Sequence, residues 1–121
     1  MPSAVDRLLW YLFAGSRGGP TRIRILRALL DRPYNTHQLS KLLRLDYKTV
    51  EYNLRVLSKH VVVVADSPGS YGALYHPSKN LLAHTATFDQ ILAKTPPEKT
   101  AIQPAAAPAE RREAGETVGE T

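Results

Sequence analysis

Apolar residues recur at helical spacing along the first 60 residues, and the pattern then changes to a β-branched run. Val5, Leu8, Leu9, Leu12 and Phe13 make a broad apolar face, which Trp10 and Tyr11 widen. This predicts a helix ending near Phe13, with Ser3 as its cap. Gly15-Ser-Arg-Gly-Gly19 breaks the chain, and Pro20 stands where a helix can start, because its missing N–H costs nothing there. A second helix is expected over about 21–31, with Ile23, Leu26, Leu30 and partly Ala28 inward and Arg22, Arg24 and Arg27 mostly outward. Pro33 ends it.

Tyr34-Asn-Thr36 is a short extended stretch, enough for a stub of strand. Asn35 or Thr36 caps a third helix over about 37–43, and Arg44-Leu-Asp46 makes a turn. Asp46 then caps a fourth helix over about 47–59, on which Val50, Leu54 and Leu57 form the inward stripe while Lys48, Thr49, Tyr52 and Arg55 face outward. Residues 61–65 read as a buried strand, 66–70 as a turn and 71–76 as the returning strand. Tyr71 and Tyr75 alternate with smaller residues, as hairpin packing requires. Ser78 can cap a last helix running to Lys94, with Thr85-Ala-Thr87 as a point of interruption.

Three helices followed by a hairpin, with a strand stub between, is the order of a winged helix-turn-helix domain. The expected class is mainly α with a small β-hairpin (α+β), spanning residues 1–94 and flanked by N- and C-terminal helices. Residues 95–121 are rich in Pro, Ala, Glu and Thr, and are expected to form a disordered tail.

Charge strengthens this picture. The chain carries net +5, yet residues 1–94 hold 13 Lys/Arg against 6 Asp/Glu, so the excess lies in the domain. A basic domain favours polyanions through counterion release. With no cysteine, disulfide and thiolate-metal chemistry are excluded. His37, His60, His76 and His84 show no i, i+4 pair and no carboxylate cluster, so no metal or other cofactor is expected. The apolar run 8–14 falls well short of the roughly 20 residues that a membrane span needs, and a cytoplasmic, non-membrane protein is expected. No Ser/His/Asp order, phosphate loop or apolar carboxylate pair points to an enzyme; the 15–19 glycine stretch follows no strand and lacks the Lys-Ser/Thr of a P-loop.

The segment GGPTRIRILRALLDRPYNTHQLSKLLRLDYKTVEYNLRVLSKHVVVV, followed by SYGALYHPS, resembles archaeal winged helix-turn-helix transcriptional regulators of the ArsR-like group. The resemblance covers about residues 18–78 and implies a DNA-binding regulator, often homodimeric, that reads DNA with its fourth helix. Three features depart from the pattern: there is no cysteine for metal sensing, His60 stands where a glycine is common, and the wing ADSPGSYGA carries Asp66 and no basic residue.

By match to the family helix, Tyr47, Lys48, Glu51 and Tyr52 take groove-facing positions, with Thr49 beside them and Arg55 and Lys59 suited to phosphates. Lys48 can donate to guanine, Glu51 can accept from cytosine N4, and Tyr52 can meet a thymine methyl or a phosphate. Arg22, Thr36 and Lys41 are further candidate DNA contacts, with a phosphate clamp as the role of Arg22. A solvated helix face is the competing account of these charges. The expected partner is double-stranded DNA. The expected assembly is a homodimer through residues 4–13 and 79–94, since the three-helix core and wing do not need both flanking helices. A winged-helix protein-interaction module of the basal transcription machinery is the alternative function.

Overall fold

The structure is a computed structural model and describes residues 2–94, so the expected tail at 95–121 lies outside the described residues. Helix α1 (Ala4–Phe13) starts on a reciprocal capping box. Asp6 N–H donates to Ser3 Oγ at 3.1 Å, and Ser3 N–H donates to the Asp6 carboxylate at 3.0 Å. Its buried residues are Leu9, Leu12 and Phe13.

Helix α2 (Gly19–Asp31) begins two residues before the expected start, with Pro20 in its first turn. Its burial stripe also differs from expectation. Arg22, Ile25, Leu26 and Leu29 are buried together with Ile23, whereas Leu30 is exposed. The spacing 22, 25, 26, 29 is itself one helical face, and α2 is touched by α1, by the two helices that follow and by the second strand, so the covered face is wide. Charge suggested that Arg22 points outward; position on this stripe turns it inward.

Helix α3 (Thr36–Leu43) is capped by Asn35, whose side chain accepts from Gln38 N–H at 2.8 Å, while Gln38 Oε1 accepts from Asn35 N–H at 2.9 Å. Thr36 is thus the first helical residue. A short turn leads to α4 (Tyr47–Lys59), which has the expected bounds; Asp46 caps it by accepting from Lys48 N–H at 3.1 Å. Val50, Leu54 and Leu57 are buried as the stripe predicted, and Asn53 is buried with them.

The close of α4 departs from what the resemblance implies. His60 keeps φ at −94°, and it is Val61 that takes the left-handed conformation, at φ 57°. Val62 N–H donates to Leu57 O at 2.9 Å and Val61 N–H to Ser58 O at 3.0 Å, the paired bonds of a Schellman closure with Val61 in the place usually held by glycine. Ser78 Oγ holds the turn from outside, donating to Val61 O at 2.6 Å.

Because this closure uses residues 60–62, strand β1 (Val63–Ala65) is shorter than the apolar run. It pairs antiparallel with β2 (Tyr75–Pro77), Val64 opposite His76, and Tyr34 adds an isolated bridge to Tyr75. The wing between the strands is closed by Asp66, whose carboxylate accepts from Leu74 N–H at 2.9 Å and whose own N–H donates to Leu74 O at 2.9 Å. Gly69 and Gly72 have φ of +82° and +83°, which holds residues 71–74 out of the strand. Tyr71 consequently projects into solvent, 89% exposed, in place of packing in the hairpin; Tyr75 does pack against the core.

The expected last helix is two helices, α5 (Lys79–Leu82) and α6 (Thr85–Ala93), broken at Ala83-His84. Ser78 caps α5 by accepting from Leu81 N–H at 3.0 Å. Helix α6 packs on α1: Phe13 and Phe88 meet edge to face with centroids 5.2 Å apart, and Thr87 Oγ1 donates to Asp6 Oδ1 at 2.6 Å. One core therefore runs from Leu9 to Ile91. The inner faces of the flanking helices close the domain's own interior, while Tyr11 and Leu82 remain exposed outside. The whole is a helical domain with a two-stranded antiparallel wing, a winged helix-turn-helix. Among the described residues no helix is long and apolar enough to cross a membrane.

Candidate nucleic-acid interface

The α3–α4 pair is fixed by bonds to its connecting turn. Leu45 N–H donates to Ser40 O at 3.1 Å, and Ser40 Oγ donates to Leu45 O at 2.6 Å. Arg44 takes the left-handed conformation at φ 56°, reversing the chain. Arg24, from α2, donates through Nη2 to Leu43 O at 2.5 Å, and so caps the C-terminal end of α3 with a positive group. Burial pushes the Arg24 guanidinium below the usual arginine range.

With Val50, Leu54 and Leu57 anchored, the opposite side of α4 presents Lys48, Thr49, Tyr52, Arg55 and Lys59, all exposed. Tyr47 and Glu51 are half-buried at the edges of this face. Lys41 is exposed on α3, and Thr36 is half-buried at the α3 N-terminus. The wing stands away from α4 and leaves an open groove of about 500 Å³, with Glu51 and Arg55 on one wall and Pro68 and Gly69 on the other. The Asp66 carboxylate accepts a backbone N–H across the wing's own turn.

Arg22 does not join this face. It is 5% exposed, and its guanidinium donates to Leu12 O at 3.0 Å through Nε, to Asn53 Oδ1 at 2.8 Å through Nη1, and to Ser16 Oγ through Nη2. Burial pushes its pKa down, while Tyr52 and Tyr11 act in the opposite direction. The expected phosphate clamp at Arg22 is therefore corrected: its donors point into the protein. Asn53 is not among the expected site residues, although a polar residue on the 50, 53, 54, 57 stripe is a legible sign of a buried hydrogen bond. Among the described residues no group of three or more His, Asp or Glu is placed to hold a metal ion.

Residues 19–60, from the start of α2 to the end of α4, match the family model described as bacterial regulatory protein, arsR family. The chain is similar in fold to the crystal structure of the transcriptional repressor BigR from Xylella fastidiosa. The TM-score is 0.54 at 18% identity, covering 74% of this chain and 85% of that one. A probable transcriptional regulator from Pseudomonas aeruginosa is matched with TM-score 0.47 and 21% identity, over 78% and 79% of the two chains. No curated protein sequence matches the chain.

Proposed function

We propose that this protein is a sequence-specific, double-stranded-DNA-binding transcriptional regulator that inserts α4 into the major groove and works as a homodimer in the cytoplasm. One observation carries the reading: the exposed face of α4 bears Lys48, Thr49, Tyr52, Arg55 and Lys59 on a helix locked at both ends and held by a buried apolar stripe. The arsR-family match over the same segment supports it. Lys48, Glu51 and Tyr52 would address base edges; Arg55, Lys59 and Lys41 would meet phosphates, and Thr36 would meet one beside the α3 N-terminus. The pairing surface we assign to residues 4–13 and 79–94 is the outer side of α1 together with α5 and α6, where Tyr11 and Leu82 are exposed. A two-fold dimer would place two copies of α4 about one helical turn of DNA apart.

The experiment is fluorescence anisotropy against a DNA fragment from upstream of the protein's own coding sequence and a scrambled control, across a salt series. Expected is binding to the native fragment that survives at ~150 mM salt, with Lys48→Ala lowering discrimination and Arg55→Ala flattening the salt slope by about one. Equal, weak, salt-labile binding to both DNAs would overturn the reading in favour of a protein-interaction module.

A further inference from the structure

We propose that Arg22 is a positioning residue that sets the pose of α4 against the C-terminal end of α1. Its functional consequence rests on the DNA-binding reading of α4; its structural consequence does not. The guanidinium lies among three neutral acceptors contributed by separate parts of the chain: Leu12 O on α1, Ser16 Oγ in the following loop, and Asn53 Oδ1 on α4. Leu12 O is one of the last four carbonyls of α1, which a helix leaves without intrahelical partners, and it lies at the negative end of the α1 dipole. Arg22 thus caps α1 and finds partial negative charge there. Ser16 Oγ also donates to Leu12 O, at 3.3 Å, closing the cluster.

The glycine stretch at 15–19 takes its meaning from this site. A Cβ at Gly18 would collide with Arg22 Nη1 and crowd the guanidinium carbon, and a Cβ at Gly19 would collide with the backbone carbonyl of Phe13. The two glycines let the loop wrap the guanidinium and let α2 start against the end of α1.

On the far side the bond is directional. Asn53 is 4% exposed and uses both ends of its amide: Nδ2 donates to Thr49 O at 2.8 Å, one turn back in α4, and Oδ1 accepts from Arg22. Thr49 and Tyr52, next to this amide, are on the exposed face. Rotating or sliding α4 would break either the Asn53 bond or the Leu12 bond, because a planar guanidinium holds its donors in fixed directions. A lysine has three donors, but all on one nitrogen, and so cannot reproduce bonds spread over Nε, Nη1 and Nη2. A buried cation with neutral partners is a poor source of stability, so its effect is on which arrangement of α1 and α4 forms.

The test uses the full chain as wild type, Arg22→Lys, and the double variant Arg22→Met/Asn53→Leu, in which both polar partners are replaced together so that no new unsatisfied group is left between them. Amide hydrogen exchange of the free protein is the first readout. Expected is faster exchange, about tenfold, in the first half of α4 and the last turn of α1 for both variants, with exchange in the wing unchanged. The second readout is anisotropy on the native and scrambled DNA fragments. Expected is a roughly tenfold fall in the ratio of specific to non-specific affinity, with an unchanged salt slope. Should the double variant not fold, Arg22→Lys carries both measurements. Unchanged exchange at α4 and α1 would overturn the proposal. So would a salt slope reduced by about one with exchange unchanged, which is the signature of a phosphate contact. If wild type binds neither DNA, the DNA-binding reading fails while the exchange data still decide the role of Arg22.

Discussion

Replacing Val61 with glycine should stabilise the protein. Val61 holds φ at 57°, a conformation that costs an L-residue roughly 1–2 kcal/mol and is least suited to β-branched side chains. Its side chain is 53% exposed, so little burial is lost with it. The bonds that define the turn, Val61 N–H to Ser58 O, Val62 N–H to Leu57 O and Ser78 Oγ to Val61 O, use backbone atoms of residues 61 and 62 and survive the change. Against the relieved strain stands the larger backbone entropy of glycine in the unfolded chain, about 0.5–1 kcal/mol. The net gain is about 0.5–1 kcal/mol, which for a domain of this size raises Tm by roughly 4 °C. Thermal unfolding followed by circular dichroism, paired with urea titration, measures it. Val61→Asn should recover part of the gain, because asparagine tolerates the left-handed region, and Val61→Thr should recover none. A Val61→Gly protein with unchanged or lowered Tm, or one in which Val61→Thr is equally stabilising, would refute the strain argument.

Three further outcomes are expected. Gly19→Ala should destabilise by about 1–3 kcal/mol, because the added methyl meets the Phe13 carbonyl, which is backbone and cannot swing aside; denaturant titration reads this as a lowered midpoint. Asp6→Asn should lower stability at neutral pH, and the difference from wild type should vanish at strong acid. The Thr87 hydroxyl, and then the Ser3 backbone N–H, hold the Asp6 carboxyl below its ordinary value of 3.8. Its contribution is therefore fully present above that value and lost as pH falls through the lower folded one, as Tm against pH for both proteins would reveal. Tyr71→Ala should change stability by less than about 0.5 kcal/mol, since the ring is almost wholly in solvent, and a larger loss in thermal unfolding would mean that it packs somewhere.

The parts of the fold that the sequence makes legible are those decided within a few residues. Helix α4 has its expected limits because Asp46 and the 50, 54, 57 stripe are local signals, and Ser3 and Asn35 cap their helices for the same reason. Its outward face is legible too, since Lys48, Thr49, Tyr52 and Arg55 follow from the same periodicity. For Arg22 residue type points outward and spacing inward: its stripe with Ile25, Leu26 and Leu29 is visible in the sequence, but its acceptors lie 6, 10 and 31 residues away. The left-handed residue is Val61, one position after His60, which the resemblance puts in the glycine's place and which tolerates that conformation better than a β-branched residue does. What holds Val61 there is Ser78, 17 residues on. The hairpin shortened for a related reason, its first residues going to the helix closure and residues 71–74 to the wing.

The Thr87–Asp6 hydrogen bond joins groups 81 residues apart, across nearly the whole described chain. Its consequence concerns the order of folding. The α3–α4 pair and its turn close over a few residues, whereas docking α6 on α1 must overcome the loop entropy of everything between them. This contact is then expected to form after the rate-limiting step. Thr87→Val should speed unfolding while leaving the refolding rate nearly unchanged, whereas Leu39→Ala, at the centre of the local pair, should slow refolding. A chevron plot of each variant distinguishes the two, and a Thr87→Val protein that refolds slowly would mean that the ends of the domain meet first.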